Sequence, residues 1–471
     1  MMIVPQHRQK EMDLAKLFAG KLLLRHEIPL SEAHFSQALK QEIFRTVSPF
    51  SKKHFTLQCN RCGNTAKHLL PRYPCSRCGK AHRYCRKCIA MGRVSTCSML
   101  YEWADQTPHW PIYVNPCSWK GTLTDAQQHA ADRIATAIQA EEKELLSWAV
   151  CGAGKTEMLF PAITIALQQG KRICLATPRA DVVRELKPRI QQAFEEVTVQ
   201  ALYGGSNDKT GSAQLILSTT HQLLRFKQAF HVMIIDEVDA FPYHADPSLS
   251  FATKRAVKPS GTTIYLTATP RKQQLKRLRK NNLPHIFVPR RFHGYPLPVP
   301  KTKQVINLKR QLKSKQLPKA FLKWLLTREK TQRQILIFVP TINLADHLQK
   351  PLTNFLLENN VIQTKQQASA VHASDAEREE KVKAYRNREL FVLVTTTILE
   401  RGVTFPSVDV VILDAGHQVF DQAAIVQIAG RAGRSPDDPH GEVLLFHDGK
   451  TDAMVEAAAS IRDMNRRGGF V

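Results

Sequence analysis

From Leu123 to the C-terminus, short apolar runs alternate with longer segments whose apolar positions recur at helical spacing. The runs Leu145–Val150, Ile173–Thr177, Leu215–Ser218, Val232–Ile235 and Thr263–Thr267 read as buried strands. A second set follows at Ile335–Val339, Phe391–Thr395, Val408–Leu413 and Glu442–Phe446. Strands alternating with helices predict parallel α/β sheets, and two such sets predict two similar domains. Between them the basic, proline-bearing stretch Pro289 to Lys303 reads as a linker. Ahead of them the pattern is weaker. Residues 1–54 show helical patches at Leu14, Leu17, Phe18, Leu22 and Leu23, and residues 55–118 are cysteine-rich, closing on the stretch Trp103 to Trp119. The expected organisation is therefore an N-terminal region over 1–54, a cysteine module over 55–118, and α/β domains over 119–288 and 304–471 joined by 289–303.

Charge changes the picture more than composition does. Against 41 acidic residues stand 67 Lys and Arg, a formal net charge of +26. Such a surplus points to a polyanionic partner, a nucleic acid or an anionic membrane face. No apolar run reaches the ~18 residues of a membrane span, and Met1 to Arg25 lacks the apolar core and cleavage site of a signal peptide. The expectation is a cytoplasmic protein, at most peripheral to a membrane. Seven of the ten cysteines fall within positions 59–97, which in a reducing compartment favours metal over disulfides.

Two segments carry the candidate chemistry. In Ala149-Val150-Cys151-Gly152-Ala153-Gly154-Lys155-Thr156 an apolar strand runs into a glycine-containing turn, and Thr156 is expected to open a helix. Backbone N–H groups of such a turn cradle phosphates, Lys155 reaches the β and γ oxygens, and the Thr156 hydroxyl binds Mg²⁺. Ala149 stands where the strict pattern has glycine. Farther on, the strand ending Asp236-Glu237-Val238-Asp239 offers Asp236 to the metal and Glu237 to an attacking water; alone, it is equally an acidic turn after a core strand. The segment Gln427 to Arg434 reads as a helix start with Arg431 and Arg434 on one face. One or both are candidate arginine fingers, each able to supply ~10³–10⁵ in rate. Together these parts predict an ATPase in which two domains close on one nucleotide, a design that suits a motor on nucleic acid.

The ordered set GAGKT, Thr177-Pro178-Arg179, Thr219-Thr220-His221, DEVD, Thr267-Ala268-Thr269, Thr397–Gly402 and Gln427–Arg434 resembles superfamily 2 helicases and translocases over residues 120–471. The resemblance implies two tandem RecA-like domains using ATP and Mg²⁺. It implies that Gln127 reads adenine, that Gly402 lies at the nucleotide, and that Thr267 and Thr269 couple hydrolysis to domain movement. Thr177, Arg179, Thr219, Thr220 and Thr397 would face the nucleic-acid backbone. DEVD in place of DEAD, and Gln427 in place of histidine, point away from RNA. More closely, AVCGAGKTEM (Ala149–Met158), DEVDAFPY (Asp236–Tyr243), RRFHG (Arg290–Gly294), TTILERGVTFP (Thr396–Pro406) and FHDG (Phe446–Gly449) resemble the ComFA family, the ATPases of bacterial natural competence. That resemblance implies a motor at the inner face of the membrane that draws single-stranded DNA through an uptake channel alongside other cytoplasmic competence proteins. Oligomeric state is left open, a homo-oligomer included.

Cys59-x₂-Cys62, Cys75-x₂-Cys78 and Cys85-x₂-Cys88 form three knuckles, followed by Cys97. Two knuckles make one closed tetrahedral Zn²⁺ site. The family resemblance favours Cys59, Cys62, Cys85 and Cys88, whereas spacing equally accepts Cys59, Cys62, Cys75 and Cys78. A second metal is open to the remaining pair with Cys97 and a histidine such as His82. Because zinc contributes ~10–16 kcal/mol to a small site, losing two ligands is expected to unfold this segment and leave the motor folded. Lys52, Lys53, Arg61, Lys67, Arg72, Arg77, Lys80, Arg83, Arg86 and Lys87 suggest a surface for DNA or a partner, or simply a solvated module. Two other readings remain: a PriA-type replication-restart helicase, in which cysteines interrupt the motor rather than precede it, and a zinc-dependent DNA-binding module with a vestigial motor.

Overall fold

A computed structural model describes residues 14–53 and 55–470. The first thirteen residues of the N-terminal region, and with them half of the segment read for a signal peptide, lie outside the described residues. The chain divides into two compact units, residues 1–148 with 155–287, and residues 149–154 with 288–471.

In the first unit the N-terminal part is built from short antiparallel pairings. Strands β1 (Leu22–Leu24), β2 (Phe44–Val47) and β7 (Leu100–Trp103) form a sheet in the order β1-β7-β2. Between them come two hairpins, β3 (Phe50–Lys53) with β4 (Thr56–Cys59), and β5 (Arg72–Pro74) with β6 (Ala81–Arg83). Residues 14–18 are helical as expected, but Leu22 and Leu23 are not: all three residues of β1 are buried, and the strand pairs with β7. A three-residue apolar run buried on all sides carries no periodicity with which to separate strand from helix.

The rest of the first unit is a seven-stranded sheet in the order β10-β11-β9-β12-β13-β8-β14. Its strands are β8 (Glu144–Ala149), β9 (Ile173–Thr177), β10 (Val199–Leu202), β11 (Leu215–Thr219), β12 (Phe230–Ile235), β13 (Val257–Thr267) and β14 (His285–Val288). Pairing is parallel from β10 through β8. Every residue of β9 and β11 is buried, which is why these strands read as continuous apolar runs.

The two faces of this sheet are covered differently. Ile173, Leu175, Val232, Ile234 and Ile264 pack with Ile134, Ile163, Val183 and Ile190 of the flanking helices. On the other face Cys174, Ala176, Ile216, Met233 and Ile235 share one core with Leu22, Phe50, Cys59, Cys62, Cys85, Cys88 and Leu249. The cysteine module is thus a layer of the first unit rather than a separate bead, and the expectation that it unfolds alone does not hold. Arg61 fixes the join. It is fully buried, pairs with the Glu27 carboxylate at 2.7 Å, and donates to Met91 O at 2.8 Å and Leu224 O at 3.3 Å. From the other side Arg255 donates to Asn60 O at 2.9 Å and Leu224 O at 2.7 Å. Arg61 therefore does not belong to the basic surface in which the sequence placed it.

The second unit is a six-stranded parallel sheet in the order β15-β20-β19-β16-β18-β17. Its strands are β15 (Lys301–Gln304), β16 (Gln334–Phe338), β17 (Ala368–Val371), β18 (Val392–Thr395), β19 (Val408–Leu413) and β20 (Val443–His447). The stretch read as a linker is structured within it. Lys301–Gln304 forms the edge strand, and Arg291 is 2% exposed, donating to Ala432 O at 2.9 Å. Each unit is a parallel sheet flanked by helices, of the RecA-like kind. Among the described residues no helix is long and apolar enough to cross a membrane.

Candidate active site and cysteine clusters

The candidate residues of the first unit gather at the carboxyl ends of adjacent parallel strands. Lys155 and Thr156 follow β8, Thr177 ends β9, Thr219 ends β11, Asp236 follows β12 and Thr267 ends β13. In open α/β sheets this edge is where ligands bind. In the phosphate loop Gly152 and Gly154 adopt φ of +81° and +71°, which a side-chain-bearing residue rarely adopts. Thr156 leads into a single 3₁₀ turn, Glu157–Leu159, before the helix Phe160–Gln168 begins. Residues 149–154 group with the second unit, where the Cys151 thiol donates to Gln427 Oε1 at 3.1 Å and Phe292 N–H donates to Gly152 O at 2.9 Å.

Burial and the neighbouring Glu237 carboxylate push Asp236 up to about 6, against the pull of the Lys155 ammonium. A carboxylate so raised gains from a cation, so the position of Asp236, within the field of Lys155, suits Mg²⁺. Glu237 sits at φ +55° with its N–H on Asp236 Oδ1 at 2.9 Å. A non-glycine residue in the left-handed region is held there by its surroundings, a feature that clusters at functional sites.

The residue that sequence reasoning left without a role is Asp239. Fully buried, its carboxylate accepts from Thr267 Oγ1 at 2.5 Å and Thr269 Oγ1 at 2.6 Å. Its carbonyl accepts from Arg271 Nε at 3.1 Å and Nη2 at 2.9 Å. The acidic turn and the TAT segment are therefore wired by two short charge-assisted bonds. The available signal was a third carboxylate, three residues past Asp236 in the same acidic turn.

Other candidates are placed less openly. Thr177, Thr219 and Thr220 are buried, so any contact with a strand there falls to the backbone at the strand ends. Arg179 pairs with Asp181 at 2.8 Å. Gln127 closes a capping box, its Oε1 accepting from Thr124 N–H at 2.8 Å. In the second unit Thr397 opens a 3₁₀ turn just past β18, and Gly402 has φ +77°. The helix Gln422–Ala429 ends at Gly430, so Arg431 and Arg434 lie beyond a helix C-terminus, not on the face of a helix start. Gly430 is the residue at which the helix stops. Arg431 is buried, donating to Glu400 O at 3.0 Å and to Val403 O; Arg434 donates to Gly430 O at 2.8 Å and Thr404 Oγ1 at 3.3 Å.

The cysteines form two groups. Cys59, Cys62, Cys85 and Cys88 are all buried, with their sulfurs within 4.8 Å of one another; Cys59–Cys88 is 3.8 Å and Cys62–Cys85 is 3.5 Å. Sulfurs on one tetrahedral Zn²⁺, at Zn–S of about 2.3 Å, lie about 3.8 Å apart, whereas a disulfide requires about 2.05 Å. The quartet fits the ion. Hydrogen bonds among the thiols drive their proton affinities apart, Cys59 and Cys85 downward, Cys62 and Cys88 upward. Cys75, Cys78 and Cys97 form the other group. The compact alternative of Cys59 and Cys62 with Cys75 and Cys78 is not the one the fold assembles.

Three family models match the chain: the competence protein ComFA N-terminal domain over residues 7–102, the res subunit of type III restriction enzymes over 120–272, and the helicase conserved C-terminal domain over 313–436. Competence protein ComFA of Bacillus subtilis (strain 168) is 42% identical over 454 residues, covering 96% of this chain and 95% of that protein. Competence protein ComFA of Streptococcus pneumoniae (strain ATCC BAA-255 / R6) is 35% identical over 460 residues, covering 96% and 99%. Among solved structures, S. cerevisiae Dbp5 bound to RNA and ADP BeF3 aligns with a TM-score of 0.53 at 18% identity, over 73% of this chain and 88% of that one. Mycobacterium smegmatis helicase Lhr bound to ssDNA and AMP-PNP gives 0.52 at 18% identity, over 75% and 51%. These two share the fold.

Proposed function

Because this chain belongs to the ComFA family of competence proteins, we propose that its helicase-like ATPase is a translocase that draws single-stranded DNA across the cytoplasmic membrane during uptake. The observation that carries the reading is the row of candidate residues along the carboxyl edge of one parallel sheet, with Asp239 tying the acidic turn to Thr267 and Thr269.

In this reading Lys155 and the loop amides of Gly152, Ala153 and Gly154 hold the ATP phosphates, and Gln127 reads the base. Thr156 and Asp236 hold Mg²⁺, which when bound neutralises the charge developing on the transferred phosphoryl group. Glu237 orients the attacking water and takes its proton. Arg431 and Arg434 contribute the guanidinium charge of the second unit; Arg431 does so while fixing the Glu400–Val403 turn. Asp239 lies two residues from Glu237 and grips both threonines, so a change at the acidic turn shifts the end of β13. Thr177, Arg179, Thr219, Thr220 and Thr397 shape the strand ends and turn over which the DNA backbone passes. The quartet Cys59, Cys62, Cys85 and Cys88 holds a structural Zn²⁺. A net charge of +26 suits both DNA and the anionic inner face of the membrane, where the motor would work beside the uptake channel.

The test is ATP hydrolysis by the full chain alone and with single-stranded DNA, duplex, forked duplex or RNA. Stimulation chiefly by single strands, abolished in Lys155→Ala, is expected. Stimulation only by forked duplex would overturn uptake in favour of replication restart, and absence of hydrolysis under every condition would overturn the motor.

A further inference from the structure

The second cysteine group has no place in the function above, yet its backbone repeats that of the first. Cys59-Asn60-Arg61-Cys62-Gly63 and Cys75-Ser76-Arg77-Cys78-Gly79 share the pattern C-x-R-C-G. In the first, Cys59 N–H donates to Asn64 O at 3.0 Å and Gly63 N–H to Cys59 O at 2.7 Å. In the second, Cys75 N–H donates to Lys80 O at 3.0 Å and Gly79 N–H to Cys75 O at 2.8 Å. The glycines sit at φ +74° and +69°. Two turns with the same bonds and the same left-handed glycine present their sulfurs in the same way.

Around the second turn three sulfurs lie together, and a histidine stands against one of them. Cys97 Sγ stands 3.4 Å from Cys75 Sγ and 3.6 Å from Cys78 Sγ. Both separations match sulfurs sharing one Zn²⁺, which lie about 3.8 Å apart. His82 Nε2 is 3.1 Å from Cys78 Sγ, and its Nδ1 is 2.9 Å from Thr96 Oγ1. A proton on Nδ1, held by Thr96, leaves the Nε2 lone pair toward the sulfurs, the outer-shell arrangement that metal-ligating histidines use. Apart from these atoms the lobe is held by peripheral contacts rather than by a core: Tyr73 Oη is hydrogen-bonded to Ser95 Oγ at 2.8 Å, Arg83 N–H donates to Thr96 Oγ1 at 3.0 Å, and Arg83 Nη1 donates to Leu70 O at 2.9 Å. Cys75 is the only buried residue between 72 and 83, and a two-stranded hairpin such as β5–β6 is marginal by itself.

We propose that Cys75, Cys78, Cys97 and His82 bind a second zinc ion, interleaved in sequence with the first. The pair 59/62 closes with 85/88, while 75/78 and 82 close with 97, so the ligands of the two sites alternate along the chain. The second ion ties the basic hairpin carrying Arg72, Arg77 and Lys80 to the segment that follows Cys88.

The experiment is zinc content per chain of the full-length protein after exhaustive dialysis, with Co²⁺ substitution as the second readout. Wild type is expected to hold two ions and to show absorption of both an S₄ and an S₃N site. Cys75→Ser with Cys78→Ser is expected to hold one and keep only the S₄ spectrum; this lobe is exposed, so the sheet amides should stay protected. His82→Cys should retain two ions and lose the S₃N signature. One ion in wild type, or an intact mass two hydrogens lighter with Cys75 bonded to Cys97, would overturn the second site. Unchanged S₃N absorption in His82→Cys would overturn His82 as the ligand.

Discussion

Replacing Arg61 by leucine tests whether the cysteine module and the first sheet are one body. The guanidinium is fully buried and the Glu27 side chain is 8% exposed. Breaking a buried pair by removing one partner typically costs about 3–5 kcal/mol. Here the lower end applies, because Glu27 keeps Arg225 at 3.0 Å and the Leu24 N–H at 2.8 Å. Leu224 O likewise keeps Arg255, whereas Met91 O loses the donor that Arg61 supplied. The net is about 3 kcal/mol, or roughly a hundredfold in any rate that follows global opening of the unit. Native-state hydrogen exchange in β12, whose Met233 and Ile235 share a core with the cysteines, reads that factor directly. Arg77→Leu is the matched control. It occupies the same position in the second knuckle but is exposed, so it should change stability by no more than about 0.5 kcal/mol. If Arg61→Leu leaves β12 amides as protected as Arg77→Leu does, the module does not share its stability with the sheet and the reasoning fails.

Thr269→Val removes one of the two hydroxyls held by Asp239, a charge-assisted bond of about 1.5–3 kcal/mol. On the proposed motor reading, turnover of ATP with single-stranded DNA present should fall about 10–100-fold while KM for ATP holds; a parallel rise in KM would mean that the bond serves binding. His231 is pushed down to about 4 by burial, with Lys258, Lys171 and Arg172 adding to it. The native state thus refuses a proton that the unfolded chain takes up near 6.5. Stability present above pH 6.5 is lost as the pH falls toward 4, by about 1–2 kcal/mol after solvent screening. Urea titrations of wild type and His231→Gln across that window should converge as the pH falls, and parallel curves would exclude His231.

The strands were legible for a physical reason. Both faces of each sheet are covered, so β9, β11 and β19 are buried at every position and mostly apolar, Asp409 in β19 being a charged exception, and the chemistry hangs on the strand ends. What was not legible depends on tertiary partners. Spacing could not choose among three knuckles, because the fold pairs the first with the third and skips the nearest. Nor could it separate Arg61 from Arg77, which occupy the same C-x-R-C-G pattern; one meets Glu27 and the other meets water. Asp239 was visible as a carboxylate, but its partners lie about thirty residues away, beyond any local pattern.

An open α/β sheet must bury both faces, and here helices bury one while the cysteine layer and the helix Pro247–Ala256 bury the other. Zinc bound at the proposed quartet site would contribute on the order of 10 kcal/mol, and that free energy would fall on the same unit that positions Lys155, Asp236 and Asp239. That is comparable with the ~5–15 kcal/mol that holds a whole domain together. Loss of the metal then reaches the nucleotide site through packing alone, with no zinc chemistry and no contact between cysteine and DNA. A cysteine substitution that abolishes ATP hydrolysis is thus expected from the architecture, and by itself it assigns no DNA-binding role to the module. Such a role would have to come from exposed groups such as Arg72, Arg77 and Lys80, whose removal leaves the shared core untouched.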